Sequence, residues 1–136
     1  MENGKDLISM YAHQVTFLAL APAASTTQII TIESDSDFFW YKATYQADIA
    51  AAAQTDSTRV VPLCTVLITD NGSDRQLMRA AVPVPSIFGT GETPFILPAP
   101  HKFLASASVT VQVTNFDAAA TYNLRLQFVG YKKFIR

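Results

Sequence analysis

Residues 109 to 128, VTVQVTNFDAAATYNLRLQF, hold the clearest pattern in the chain. Val109, Val111 and Val113 alternate with Thr110, Gln112 and Thr114, and after a break Tyr122, Leu124, Leu126 and Phe128 alternate with Asn123, Arg125 and Gln127. A strand sends successive side chains to opposite faces, so a period of two predicts two half-buried strands, each with one wet face. Asn115-Phe116-Asp117 turns the chain between them, because Asn and Asp side chains bond nearby backbone.

The same reading extends outward in both directions. Val60 to Thr69 (VVPLCTVLIT) predicts a buried strand, with Cys64, Val66 and Ile68 on the core face. Asp70-Asn71-Gly72-Ser73 predicts a tight turn, with Arg75 to Val82 as the antiparallel partner. Phe38 to Asp48 (FFWYKATYQAD) splits into one face of Phe39, Tyr41, Ala43, Tyr45 and Ala47 and another of Phe38, Trp40, Lys42, Thr44 and Gln46. Thr27 to Glu33 is a β-branched strand, followed by a corner or hairpin at Ser34-Asp35-Ser36-Asp37. Val15, Phe17 and Ala19 alternate with Thr16 and Leu18 until Pro22 to Ser25 ends the run. Ala50 to Ala53 and Gln54 to Thr58 read as a loop.

Residues 83 to 100 hold five of the seven prolines, which lack the backbone donor a central strand needs. That segment reads as an extended connection with a short strand around Phe95 to Leu97. Residues 1 to 13 show no sustained period and read as an N-terminal arm, and residues 132 to 136 as a basic C-terminal tail. Between them, residues 14 to 131 form one domain, since 136 residues suit a single core. About eight short strands, few helices and no internal repeat predict an all-β fold: an antiparallel β-sandwich with jelly-roll topology. An immunoglobulin sandwich would need a Cys, Trp, Cys pattern, and the chain has one cysteine.

Composition narrows function further. The chain is 49% hydrophobic and 15% charged, so it offsets the entropy of folding. A formal net charge of -1 provides no global basic surplus for nucleic acid. No apolar run is long enough to cross a bilayer, and the start MENGKD is unlike a secretory leader, so a soluble, uncleaved chain without membrane contact is expected. The lone Cys64 fits a reducing compartment.

The chain carries no complete catalytic or metal-binding pattern. A cupin metal site needs several histidines, and His13 and His101, the only two, stand 88 residues apart. Cys64 lies in the most apolar strand, where a thiolate is poorly solvated. The carboxylate pairs Asp35 with Asp37 and Asp70 with Asp74 fall in turn segments, where Asp serves by bonding backbone. Gly89-Thr90-Gly91-Glu92 has no following Lys or helix to hold a phosphate. No enzyme, metal or cofactor is therefore expected. Candidates for partner contact are Tyr11, Trp40, Phe88, Phe95, Lys132, Lys133, Phe134 and Arg136, all but Trp40 carried by the ends and the proline-rich connection. In a second reading, Trp40 with neighbouring tyrosines forms a sugar-stacking platform.

From about Asp37 to Gly130, the phrases DFFWYKATYQADIA, TDSTRVVPL, ITDNGSDRQLM, VPSIFGTGETPFILPAPHKF and VTVQVTNFDAAATYNLRLQFVGYK occur in that order. In roughly two thirds of its length the chain thereby resembles the capsid cementing, or decoration, proteins of tailed bacteriophages, with the closest likeness among short-tailed phages. The resemblance implies a jelly roll made in the host cytoplasm. It would bind the outside of an icosahedral head and clamp neighbouring major capsid proteins, as a homodimer over two-fold positions. Residues 1 to 30 carry the likeness less distinctly.

Overall fold

The computed structural model describes residues 8–49, 60–90 and 92–134; the loop expected at 50–58 lies outside them. Among the described residues, nine strands and one helical turn follow in chain order: β1 (Ile8–Leu20), β2 (Ser25–Thr31), β3 (Ser36–Ile49), β4 (Cys64–Asp70), β5 (Arg75–Gln76), β6 (Val82–Pro83), α1 (Val84–Ile87), β7 (Phe95–Phe103), β8 (Ser108–Asn115) and β9 (Tyr122–Phe134). One antiparallel sheet, here sheet A, has the order β1-β9-β3-β7. The other, sheet B, has the order β2-β8-β4-β5, with β6 on the same edge of β4 as β5. The chain passes back and forth between the sheets, which is the strand order of a jelly roll, with β5 and β6 sharing one strand position.

The alternation that predicted this fold holds where it was cleanest. Val109, Val111, Val113, Leu124, Leu126, Phe128, Cys64, Val66 and Ile68 are all buried between the sheets, while Thr110, Gln112, Arg125 and Gln127 face away. The turn after β8 is held by two side chains. Asn115, fully buried, donates to the carbonyls of Leu20 and Ala120 and accepts the Asp117 N–H at 2.8 Å. Asp117 then accepts the N–H groups of Ala119 and Ala120 and the Tyr122 hydroxyl. Each buried polar atom of Asn115 thus has a partner, which removes the desolvation cost of placing an amide in the core.

Elsewhere local pattern misreads the chain, and bulges are the main reason. On β3 the register against β9 shifts between Trp40 and Lys42, so the inward face runs Phe38, Trp40, then Ala43 and Ala47. Parity reverses at Tyr41, and Trp40 caps the break by donating its indole N–H to the Lys42 carbonyl at 2.9 Å. A second shift on β1, between Phe17 and Leu20, turns Leu20 inward in place of Ala19, whose φ of 54° marks the kink. At Gly130, opposite the β3 bulge, any Cβ would run into the Phe39 carbonyl oxygen, so only glycine lets the strands approach there.

The termini and the proline-rich connection also depart from expectation. Residues 8–13 are not a loose arm but the first half of β1, in register with β9 from Ile8 opposite Lys133 onward. Likewise Lys132, Lys133 and Phe134 are not a tail: they end β9, with Lys132 and Lys133 between β1 and β3 and Phe134 opposite Ser36 of β3. Both strands run through the domain limits expected at residues 13 and 131. The strand near Phe95 extends to Phe103 because it sits at the edge of sheet A, where Pro98 and Pro100 fall in the stretch that β3 does not pair. Residues 60–63 precede β4 without joining it, and only the ends of the expected Arg75–Val82 strand pair with β4. Finally, the corner at Ser34-Asp35 carries the chain from sheet B to sheet A, so it is no hairpin.

Candidate interaction surface

Two of the expected contact residues belong to the core. Trp40 is 5% exposed and Phe88 is fully buried. Their rings pack 6.2 Å apart and both meet Phe128, at 4.8 Å from Trp40 and 5.4 Å from Phe88. The proline-rich connection brings Phe88 there: α1 buries Val84, and Gly89 exchanges backbone hydrogen bonds with Ala43 and Tyr45 on β3. A Cβ on Gly89 would strike the backbone of Thr93 and Phe95. The connection therefore closes one end of the sandwich instead of standing out to meet a partner. Phe95, at the start of β7 opposite Ala43, is half-buried beside it.

Tyr11, Lys132 and Phe134 meet at the opposite end of sheet A. The Lys132 ammonium lies 3.9 Å from the centre of the Tyr11 ring and 6.0 Å from that of Phe134, within cation–π range. It also stands 3.3 Å from Glu33 Oε1, while the Tyr11 hydroxyl donates to Glu33 Oε2. His13 completes the cluster, edge-on to Phe38 at 4.8 Å, with its Nε2 3.9 Å from Glu33 Oε1. Burial holds the His13 imidazole below its ordinary pKa, and Glu33 only partly offsets this. Burial alone would raise the Glu33 carboxyl, but its pairing with Lys132 wins and holds it below the usual range. The cluster ties β1, β9 and the corner after β2 together. Arg136 lies outside the described residues.

Sequence reading missed the residues that alternation places on the outer face of sheet A. There Phe39 stacks on Tyr131 with ring centres 5.1 Å apart, and Tyr41 lies 6.3 Å from Tyr131. Met10 pairs with Tyr131 across β1 and β9, and Val129 pairs with Lys42. Phe39, Tyr41, Val129 and Tyr131 are half-buried and Met10 is exposed. Lys42, Lys102 and Lys133 stand around these rings, with Lys102 3.7 Å from Asp37. Further along the same face lies a side-chain ladder in which Thr44 donates to Gln127, Gln127 to Gln14, and Gln14 to Thr16. The available signal was the pair Phe39 and Tyr41; the β3 bulge and the pairing of β9 were needed to add Tyr131.

The outer face of sheet B is chemically different. Its cross-strand rows join Ser25, Thr114 and Thr65, then Thr27, Gln112 and Leu67, then Ile29, Thr110 and Thr69, with no charged residue among them. Ser25 and Thr114 hydroxyls meet at 2.6 Å.

Asp70, Asp37 and Asp35 are tied into the fold, and Cys64 is buried in it. Asp70 is buried, accepts the Gly72 N–H and lies 3.0 Å from His101 Nε2, a contact that joins β4 to β7 across the sandwich. Asp37 accepts the Ala105 N–H, and Asp35 accepts the Ser36 hydroxyl. Burial pushes the Cys64 thiol up to about 11, with nearby Asp117 adding to the effect. Among the described residues no three of His, Cys, Asp and Glu gather to hold a metal ion. An open hollow of about 500 Å³ lies between Tyr45, Gln46, Val61, Thr90 and Glu92, too shallow to enclose a ligand. No helix among the described residues is long and apolar enough to cross a membrane. Compared with protein-family models and with curated proteins, the chain matches none.

Proposed function

We propose that the chain is a capsid cementing protein of a tailed bacteriophage. It binds the exterior of an icosahedral head, clamps adjacent major capsid proteins and works as a homodimer, without an active site, metal or cofactor. The resemblance over residues 37 to 130 suggests this reading, and the jelly-roll order of the strands is compatible with it. The observation that carries it is the outer face of sheet A, where Phe39, Tyr41 and Tyr131 are ringed by Lys42, Lys102 and Lys133. Aromatic anchors in a charged rim are the make-up of a protein interface. Strands paired along their length hold those anchors rigid, so little entropy is lost on docking. The docking face is accordingly the sheet and the end bearing Tyr11 and Lys132, while the proline-rich connection serves the core.

The alternative, a carbohydrate- or receptor-binding module of a virion, rested on Trp40 as its platform. With Trp40 buried, that platform loses its central ring. Cryo-electron microscopy of the virion that carries the chain separates the two. Cementing requires an ordered lattice of density on the head exterior, over the junctions between major capsid proteins. Density confined to the tail, together with glycan-array binding, would overturn it.

A further inference from the structure

Edge strands present unpaired backbone groups, and stable proteins blunt them with charges, prolines, bulges or short length. Two of the four edges here follow that rule or are short. β7 carries Pro98, Pro100 and Lys102 and leaves β3 for several residues. β5 and β6 are two residues each. β2 is likewise uncharged, but it is seven residues long against thirteen for β1 and borders β1 at the corner joining the sheets.

β1 is the longest edge, it carries neither charge nor proline, and its one irregularity falls at its far end, after Phe17. Its thirteen residues, ISMYAHQVTFLAL, contain no Asp, Glu, Lys, Arg, Pro or Gly. Among the described residues it pairs only with β9. Met10 is 73% exposed and Leu18 63%, unusual values for such side chains on a regular strand. By alternation they share a face with Gln14, and Gln14 lies midway between them.

We infer that two copies of the chain join through their β1 edges, antiparallel about a two-fold axis at Gln14, into one continuous eight-stranded sheet. The spacing is self-complementary: Met10 of one copy falls opposite Leu18 of the other, Ala12 opposite Thr16, and Gln14 opposite itself. An isologous contact sets every charge near its own copy, so an edge without fixed charge meets no repulsion. Pairing stops at Leu18, where the Ala19 kink turns the strand and Asn123 takes the Ala19 N–H.

A two-fold axis normal to the sheet keeps both outer faces on one side. The dimer would present the Phe39, Tyr41 and Tyr131 cluster twice in one surface, and such bivalence turns two modest contacts into a strong clamp. That consequence rests on the cementing reading; the dimer contact itself does not.

Sedimentation equilibrium of the full chain tests the contact. The parent should sediment at twice the chain mass. Met10→Lys with Leu18→Lys places lysine opposite lysine and should weaken association at least roughly a hundredfold, leaving the circular dichroism spectrum unchanged. Met10→Lys with Leu18→Glu places lysine opposite glutamate and should restore a dimer that weakens with salt. Independently of those variants, Gln14→Cys should crosslink with a short bis-maleimide, and Gln112→Cys should not. A parent at chain mass up to about 100 µM, or a Lys/Lys variant as dimeric as the parent, overturns the inference. A Lys/Glu variant as monomeric as Lys/Lys, or no Gln14→Cys crosslink, overturns the register. Head binding is scored separately. A dimer that ignores heads overturns the cementing reading alone, whereas a monomer that coats heads overturns only the β1 contact.

Discussion

The two sheets are built from different side chains, and their geometry follows the difference. Sheet B buries Ile30, Val66, Ile68, Val109, Val111 and Val113, and β8 pairs seven consecutive residues with each neighbour without a shift. Sheet A buries Phe17, Phe38, Trp40, Phe103 and Phe128, and its β1–β9, β3–β9 and β3–β7 pairings all carry a shift. β-branched side chains fill a pleated surface in their preferred rotamers. Rings are larger than the spacing of a pleat, and bulges re-aim them until they interlock. The outer faces differ in parallel, hydroxyls on sheet B against rings and charges on sheet A. A regular aliphatic sheet thus backs an irregular aromatic one, and the interaction chemistry sits on the second.

Truncation in the two cores gives the largest expected contrast. Phe128→Ala, which removes the ring that Trp40 and Phe88 both pack on, should cost about 4 kcal/mol in chemical denaturation, and Val111→Ala about half as much. Equal costs would break the comparison, since they would mean that sheet A does not depend on its interlocked rings.

Next comes the bulge itself. Gly130→Ala forces β9 away from the Phe39 carbonyl and should cost about 3 kcal/mol, seen as a drop in Tm. A near-native Tm would show that the shifted register has slack to absorb a methyl group.

Acid should loosen sheet A first. Burial keeps the folded His13 pKa below the ordinary 6.5, so under that pH the unfolded chain binds more protons and stability falls. Glu33, held below its ordinary 4.5, continues the loss as pH falls through and below that value. The Tm should therefore decline from about pH 6.5 downward, and His13→Gln should flatten the upper part of that decline while leaving the part below about 4.5. An unchanged slope in His13→Gln would remove His13 from the account.

The smallest stability effects sharpen the contrast between outer faces. Tyr131→Ala removes a stacked ring and should cost about 1 kcal/mol yet markedly reduce head occupancy. Gln112→Ala on sheet B should change stability by less than about 0.5 kcal/mol and leave occupancy intact. Reversed occupancies would transfer the docking face to sheet B.

Legibility followed the same division. Residues 109 to 128 could be read strand by strand because valine, leucine and threonine alternate without interruption and the Asn115 and Asp117 turn is a local device. The Phe38 to Asp48 stretch could be read as a strand but not as faces, since both parities begin with aromatics and only the shift after Trp40 decides which rings go inside. Candidate contacts failed in the same way. Phe88 looked free because prolines surround it, yet the Gly89 bonds to β3 draw it into the core. Tyr11 was read as lying on an arm and Lys132 and Phe134 on a tail, whereas the three meet on the adjacent strands β1 and β9.

What the amino-acid order determined by itself was the class of fold: period-two alternation, turn chemistry at Asn115 and Asp117, proline kept out of central strands, and a single cysteine placed inside a strand. Each is settled within a few residues by backbone geometry and solvation. Only the tertiary structure decided the face shown by Trp40, the burial of Phe88, the meeting of the two ends as β1 and β9, and the assembly of Phe39, Tyr41 and Tyr131. Those outcomes turn on which strand lies beside which, and strand neighbours in a jelly roll are distant in sequence, so no local pattern encodes them.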